Sequence, residues 1–208
     1  MNTTNTPAAN ALATANAGAA IRRVAVIGAG TLGGRLAAIC SAAGYSVILE
    51  DVLPSKLRSV AEAIDGAQAL PAIAWDKASP AGAVEYALTI EEAVRDADLV
   101  IDCVPDELES KLEILSLIDR MAPPRTTIAT PTRALSISDL ASCIYRPERC
   151  LALQLLEDLR GDANKPPEVH IISIPQTDPA VLASVVSFWK TLGFAATAAL
   201  EPTVAEAV

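Results

Sequence analysis

A glycine-rich hexapeptide between a predicted strand and a predicted helix constrains the fold of this chain more than any other feature. It runs from Gly28 to Gly33 with the sequence Gly-Ala-Gly-Thr-Leu-Gly, directly after the apolar run RVAVI. Apolar residues then recur at helical spacing until Gly44, which marks the end of the helix. A strand, a G-x-G-x-x-G turn and a helix in this order are typical of the first unit of a dinucleotide-binding fold.

The three glycines of the hexapeptide have separate physical roles in such a unit. Gly28 permits the tight turn, Gly30 lets the backbone approach a pyrophosphate, and Gly33 lets the helix pack closely on the sheet. The start of the helix offers free N–H groups and the positive end of its dipole to the phosphates. The alternative is a glycine-rich turn without a ligand. We predict that the cofactor is bound by the whole loop, which comprises Gly28, Ala29, Gly30, Thr31, Leu32 and Gly33.

An acidic residue ends the next predicted strand, YSVILED. At this position Asp51 would accept hydrogen bonds from the hydroxyl groups of the adenosine ribose. Glu50 stands beside it and no arginine is nearby, so a 2′-phosphate would be repelled. The sequence therefore predicts NAD as the cofactor in preference to NADP.

Predicted strands and helices alternate along the rest of the chain. Further strands are predicted at VEYALT, DLVIDCV, TTIAT, CLALQLL, EVHIISI and FAATAAL. Such alternation indicates an α/β fold. We predict a Rossmann-type, doubly wound, mostly parallel sheet flanked by helices, in a single NAD-binding domain at residues 21–201.

Two terminal segments lie outside that predicted domain. Residues 1–20 are rich in Ala, Asn and Thr, and we predict a disordered tail because they lack the basic and apolar regions of a signal peptide. Residues 202–208 are predicted to be a short C-terminal tail. No apolar run reaches the length of a membrane span.

The charge and the cysteines limit the classes of partner and compartment. The chain of 208 residues has a formal net charge of −9, so we expect neither nucleic acid nor an anionic membrane as a partner. No cysteine belongs to a CxxC pair, and a single histidine gives no zinc pattern. We predict buried, reduced thiols and a cytoplasmic location. The four cysteines are Cys40, Cys103, Cys143 and Cys150.

Several segments together resemble the NAD-binding domain of the L-3-hydroxyacyl-CoA dehydrogenases, from about Arg22 to about residue 200. The segments are VAVIGAGTLGGRLAAICSAAGYSVILEDV, DADLVIDCVPDELESKLEIL, APPRTTIATPTRALSISDLA and RPERCLALQLL. Members of the family oxidise 3-hydroxyacyl-CoA to 3-ketoacyl-CoA while NAD accepts the hydride. The resemblance implies this class of oxidoreductase and a place in fatty acid metabolism.

The resemblance also extends the predicted cofactor site. Asp106 and Lys111 match an acid and a lysine that lie near the nicotinamide ribose in the family, and Val104 belongs to the same predicted set. The alternative for Asp106 and Lys111 is a solvated helix face.

The positions that carry the chemistry in the family differ here. Pro131-Thr132-Arg133 stands where the family has Asn-Thr-Ser, and Gln154 stands where the family has its general acid/base histidine. Glutamine can donate a hydrogen bond to a carbonyl but cannot shuttle a proton, a function that contributes about 10²–10⁴-fold to rates. Arg133 is either a group that selects a substrate carboxylate or a surface side chain.

The segment PPEVHIIS contains the single histidine, His170, close to Glu168. The resemblance assigns Glu168 to the family's glutamate that orients the catalytic histidine, although the connection after Gln154 is two residues longer than usual. Residues 168 and 170 of a strand face the same side. Either the two form a rearranged acid–base site, or His170 is a structural residue of the strand.

Three functions remain open at this point. The first is a NAD(H)-binding protein with weak or no dehydrogenase activity, and its altered catalytic set would be Gln154, Arg133 and Glu168. The second is an active NAD-dependent dehydrogenase of acyl-CoA or a small acid, working with a separate helical subunit, since we expect no counterpart of the family's C-terminal helical domain. The third is an interaction module without a ligand. Without the helical domain, we expect Phe188, Trp189 and Phe194 to form an exposed patch that favours self-association or a partner.

Overall fold

The structure is a computed structural model that describes residues 21–66, 81–155, 159 and 165–202. The predicted tail at 1–20 and nearly all of the predicted tail at 202–208 lie outside the described residues. Most of the irregular segment after the second helix, at 67–80, also lies outside them.

Eight strands of the described chain form one sheet, in the order β3-β2-β1-β4-β5-β6-β7-β8. The strands are β1 (Arg23–Ile27), β2 (Ser46–Glu50), β3 (Val84–Ala87), β4 (Leu99–Asp102), β5 (Thr127–Pro131), β6 (Cys150–Leu155), β7 (Glu168–Ser173) and β8 (Ala195–Leu200). Strands β1 to β6 are parallel, β7 is antiparallel to β6, and β8 is parallel to β7. The order reverses between β1 and β4, which creates the crevice where such folds bind nucleotides.

In the described ranges, six α-helices connect these strands. They are α1 (Thr31–Ala42), α2 (Pro54–Asp65), α3 (Ile90–Val94), α4 (Leu108–Met121), α5 (Ile137–Ala141) and α6 (Pro179–Thr191), and a 3-10 turn spans Pro147–Arg149. The side chain of Thr89 accepts a hydrogen bond from the N–H of Glu92 at 3.3 Å and thereby caps α3. No helix in the described ranges is long and apolar enough to cross a membrane.

The helices cover both faces of the sheet and so form two apolar layers. One layer includes Leu36 of α1, Leu57 of α2 and Val185 of α6, and the other includes Val94 of α3 and Leu115 of α4. Burying both faces requires continuous apolar strands, which is the pattern of RVAVI and LVID. The predicted doubly wound α/β fold is confirmed.

The predicted exposed aromatic patch is wrong. Phe188, Trp189 and Phe194 are 2%, 0% and 4% exposed, respectively. The apolar face of α6 packs against the sheet and buries these side chains. The rings of Trp189 and Phe194 pack edge to face with centroids 4.8 Å apart. Trp189 Nε1 is buried without a hydrogen-bond partner among the described residues. This aromatic group therefore stabilises the core.

We predict that Trp189→Ala lowers the free energy of unfolding by about 3–5 kcal/mol, because it leaves a cavity in a fully buried site. Trp189→Phe should cost much less, since it keeps a ring and removes the unpaired donor. Urea unfolding followed by circular dichroism measures both. Leu200→Ala, at a side chain that is 58% exposed, is the control and should change stability by less than about 0.5 kcal/mol. Equal losses for the two Trp189 variants would contradict the packing described.

Candidate functional site

The glycine loop lies at the carboxyl end of β1, where the strand order reverses. Gly28 has a φ of +99°, in the region that favours glycine, and a Cβ there would lie 3.0 Å from the carbonyl oxygen of Cys103. The N–H of Gly28 donates to the carbonyl of Glu50 at 2.8 Å. The loop is thus fixed against the strands on both sides of it.

The other two glycines of the loop have opposite surroundings. A Cβ on Gly33 would lie 1.9 Å from the carbonyl oxygen of Gly28, so α1 approaches the loop as closely as a glycine allows. A Cβ on Gly30 would meet nothing within 4 Å. Gly30 is the N-cap of α1, and no side chain caps that helix end. The open space and the uncapped start of α1 fit the pyrophosphate of a dinucleotide.

Asp51 is held directly against this loop. Its carboxylate accepts hydrogen bonds from the N–H of Ala29 at 3.0 Å and of Leu53 at 2.9 Å, and the Lys56 ammonium lies 3.2 Å away. Burial acts to raise the pKa of Asp51, but these hydrogen bonds and the charge of Lys56 outweigh it and hold the pKa below its ordinary value. Asp51 is therefore an ionised acceptor that is fixed in position.

Lys56 and Glu50 modify the predicted charge at this end of the site. The ammonium of Lys56 forms an ion pair with Asp51 that sequence reasoning missed, although a lysine in the first turn of the helix after the acid was a usable signal. Glu50 is only 3% exposed, and burial, followed by the negative charge of Asp51, raises its pKa to about 7. Repulsion of a 2′-phosphate therefore depends mainly on Asp51.

A cavity of about 520 Å³ lies on the other side of the glycine loop, over the ends of β4, β5 and β6. Apolar side chains of Leu32, Val104 and Leu153 form part of its wall. Asp106 accepts a hydrogen bond from the N–H of Arg133 at 2.9 Å, which joins the loops that follow β4 and β5. Of the predicted site residues, the cavity collects Thr31, Leu32, Val104, Asp106 and Arg133.

Lys111 does not reach this cavity. Its side chain is 0% exposed, and its ammonium lies 3.1 Å from Asp102 Oδ2 and 3.0 Å from Thr130 Oγ1. The alternative of a solvated helix face is wrong for Lys111, while its position near the nicotinamide ribose stays a prediction. The reason for its burial is that Asp102, at the buried end of β4, needs a cation partner in the interior.

The register of β6 and β7 determines which side chain is next to Gln154. Gln154 lies opposite His170 in the antiparallel pair, and His170 Nδ1 lies 2.6 Å from Thr197 Oγ1 on β8. Glu168 is two residues away, and its carboxylate lies 2.8 Å from Lys165. A hydrogen bond from Lys165 lowers the pKa of Glu168. The neighbour of Gln154 is therefore a histidine and not the predicted glutamate.

Gln154 and His170 face the side of the sheet opposite to the one that forms the cavity wall. Leu153 and Leu155 alternate with Gln154 along β6, and both line the cavity. The fold thus brings the glycine loop and Asp51 together with the cavity. Gln154 lies near the carboxyl end of β6, and its side chain and that of His170 are on the other face of the sheet.

The fold and the site define a dinucleotide-binding domain, and the comparisons identify its family. A family model described as 3-hydroxyacyl-CoA dehydrogenase, NAD binding domain, matches residues 23–200. The chain belongs to the 3-hydroxyacyl-CoA dehydrogenase family and comprises its NAD-binding domain.

Two curated relatives illustrate the range of the family. The chain is 30% identical to 5-formyl-3-hydroxy-2-methylpyridine 4-carboxylate 5-dehydrogenase of Mesorhizobium japonicum, over 83% of this chain and 55% of the relative. It is 26% identical to the mitochondrial hydroxyacyl-coenzyme A dehydrogenase of Sus scrofa, over 83% of this chain and 57% of the relative. The chain spans a little more than half the length of these relatives.

Solved structures have the same architecture. A diketoreductase matches with a TM-score of 0.73 and 27% identity, over 88% of this chain and 66% of that one. The 3-hydroxyacyl-CoA dehydrogenase of Archaeoglobus fulgidus matches with a TM-score of 0.69 and 26% identity, over 88% of this chain and 58% of that one.

The two glycines with opposite surroundings provide a matched test. Gly30→Ala should leave the unfolding midpoint unchanged, because the added methyl meets open space, but should weaken NADH binding by about tenfold by intruding on the phosphate position. Gly33→Ala should lower the free energy of unfolding by about 1–3 kcal/mol, because its methyl overlaps the Gly28 carbonyl. Denaturant unfolding and an NADH titration separate the effects. Destabilisation by Gly30→Ala would contradict this geometry.

The raised pKa of Glu50 predicts a pH-dependent stability. The folded chain holds the Glu50 proton up to about pH 7, whereas the unfolded chain loses it near the ordinary value of 4.5, so this contribution to stability is lost as pH rises through about 7. Glu50→Gln should therefore reduce the loss of stability between about pH 5 and about pH 8. Thermal unfolding at both pH values measures it. Glu113→Gln, at an exposed site, should behave like the wild type.

Proposed function

We propose that this chain is a NAD(H)-binding protein with weak or no 3-hydroxyacyl-CoA dehydrogenase activity of its own. The observation that carries the proposal is the contrast between the two parts of the site. The glycine loop and Asp51 have every feature that a dinucleotide needs, while no group able to carry a proton occupies the position of Gln154.

The residues around the crevice fit the cofactor. The N–H groups at Gly30 and Thr31 would bind the pyrophosphate, Asp51 the adenosine ribose, and the cavity beside Val104 the nicotinamide half. Bound NAD supplies hydride transfer. The chain's own residues would bind and orient it, and the apolar side chains of the cavity wall would contact its nicotinamide half.

The missing proton carrier supports low activity. General acid–base catalysis requires a titratable group within hydrogen-bond reach of the reacting oxygen. Gln154 offers an amide, and the nearest titratable side chain by register, His170, is paired through Nδ1 with Thr197. Glu168 is engaged with Lys165 and does not lie beside Gln154.

A second candidate function is favoured by Arg133. This arginine is exposed at the edge of the cavity, where a guanidinium can bind a carboxylate with two parallel hydrogen bonds. A relative that is 30% identical acts on a pyridine 4-carboxylate according to its name. An active dehydrogenase of a small hydroxy acid, or of an acyl-CoA with a separate helical subunit, is thus the alternative. The third hypothesis, an interaction module without a ligand, is not supported by any docking surface that we describe.

The cellular setting remains part of the proposal. The names of the hydroxyacyl-CoA dehydrogenase relatives support a role in fatty acid metabolism. All four cysteines are free, and burial raises the pKa of the Cys40 thiol to about 12, which agrees with a reducing compartment such as the cytoplasm. A helical partner subunit or self-association stays part of the proposal, although the aromatic side chains expected to form its contact surface are buried.

Rebuilding the proton carrier tests the cause of low activity. Gln154→His alone would place its ring beside His170 without a carboxylate, so we expect little gain. Gln154 starts on the other face of the sheet but lies one residue from the carboxyl end of β6, over which the cavity lies, so a side chain there can turn round the strand end. The double variant Gln154→His with His170→Glu restores an imidazole beside a carboxylate at this end, and should raise NADH-dependent reduction of acetoacetyl-CoA by at least about tenfold. Stopped-flow absorbance measures the rate.

Two results would decide against the proposal. His170→Glu alone is the control, and a gain there equal to that of the double variant would show that the imidazole at 154 is irrelevant. A wild-type rate near the value typical of enzymes, about 10 s⁻¹, would contradict low activity directly.

A further inference from the structure

The proposed function leaves a groove between the starts of α1 and α2 without a ligand. This groove has a volume of about 450 Å³ and opens beside Gly30, at the place where the pyrophosphate fits. Its walls include Gly34 and Arg35 on one side and Lys56 and Val60 on the other. The two helices approach closely along it, since a Cβ on Gly34 would lie 2.9 Å from Val60 Cγ2. We call this extension of the candidate cofactor site the α1–α2 groove.

The α1–α2 groove concentrates positive charge. Its lining includes two cationic side chains, Arg35 on α1 and Lys56 in the first turn of α2, and no acidic side chain from the described residues. Neither helix has an acidic residue in its first turn or a side chain that caps its start. The free N–H groups and the positive dipole ends of both helices therefore add to the two cations. In a chain with a net charge of −9, such a local concentration favours a phosphate as ligand.

Lys56 lies at the point where the adenosine ribose would meet Asp51. Its ammonium is 3.2 Å from Asp51 Oδ2, the same oxygen that accepts from the N–H of Ala29 at 3.0 Å. In dinucleotide-binding folds an acid at this position accepts from the 2′-hydroxyl, whereas a nearby cation accommodates a 2′-phosphate. This chain holds both groups in contact. Because an ammonium has three N–H donors and Lys56 is 49% exposed, it can donate to Asp51 and to a phosphate oxygen together.

The expected repulsion of a 2′-phosphate is weaker than the sequence predicts. That prediction counted the acids Glu50 and Asp51 and did not include Lys56. Glu50 adds little negative charge, because burial raises its pKa to about 7. A phosphate in the α1–α2 groove would thus meet one carboxylate, which is already paired, and the two cations Lys56 and Arg35.

We propose that the α1–α2 groove is a subsite for the 2′-phosphate of NADP(H), and that Lys56 determines this specificity, so that the crevice binds NADPH as well as NADH. The proposal rests on the cofactor site described above, which supplies the adenosine and pyrophosphate positions for both ligands. It adds a second dinucleotide to the NAD binding of the family. The additional charge pairs also imply that salt weakens NADPH binding more steeply than NADH binding.

Calorimetric titrations with NADPH and with NADH test the assignment through the ratio of their Kd values. In the wild-type chain the Kd for NADPH should lie within about tenfold of that for NADH, and salt should raise this ratio. Lys56→Met should raise the ratio by at least about tenfold, whereas Lys56→Arg keeps the cation and should leave it within about threefold of the wild type. Lys190→Met, at an exposed lysine of α6, is the matched control and should not change it.

The outcomes separate this proposal from the proposed function. NADH binding with a wild-type ratio above about tenfold would overturn the subsite alone, and this result does not depend on whether any variant folds. An unchanged ratio in a folded Lys56→Met, checked by circular dichroism, would overturn the role of Lys56. Failure of the wild type to bind either dinucleotide would overturn the proposed function as well.

Discussion

The close approach of α1 to the glycine loop is the constraint on which the rest of the structure depends. A Cβ on Gly33 would lie 1.9 Å from the Gly28 carbonyl, so only glycine allows this contact. The contact aims the uncapped start of α1 at open space beside Gly30. It also brings Ala29 within 3.0 Å of Asp51, which ties the loop to the second strand. The orientation of the helix start, the position of Asp51 and the packing of the first layer are therefore linked by one steric condition.

The candidate site has two parts that are stabilised by different interactions. At the end of β2, backbone donors and the ion pair with Lys56 fix the carboxylate of Asp51 near the surface. Inside the sheet, Asp102 and Lys111 form a fully buried charge pair at the end of β4. The first part matches the features of a dinucleotide site. Beside the second part lies a cavity with an arginine at its edge, and Gln154 stands at the position that the resemblance matches to the family's proton carrier. This contrast is the basis of the proposal that the chain binds NAD(H) with little catalysis.

Local patterns predicted the strands, the glycine loop and Asp51, because these depend on neighbours in sequence and on the periods of strands and helices. The burial of Lys111 could not be predicted in this way, because a lysine near the start of an amphipathic helix is usually exposed to solvent. Its pairing with Asp102 is visible only in the structure. The residue opposite Gln154 could not be predicted, because the connection after it is longer than in the family and does not fix the antiparallel register. A shift of two residues in that register exchanges Glu168 for His170.

The central claim is that the crevice binds the cofactor. Its most direct test is a calorimetric titration with NADH of the wild-type chain and of the Asp51→Ala variant. We predict saturable binding in the micromolar range that is lost or strongly weakened in the variant, because Asp51 is the fixed acceptor at the adenosine end. Absence of binding at millimolar NADH, or equal binding by the two proteins, would contradict the assignment of the crevice as the cofactor site.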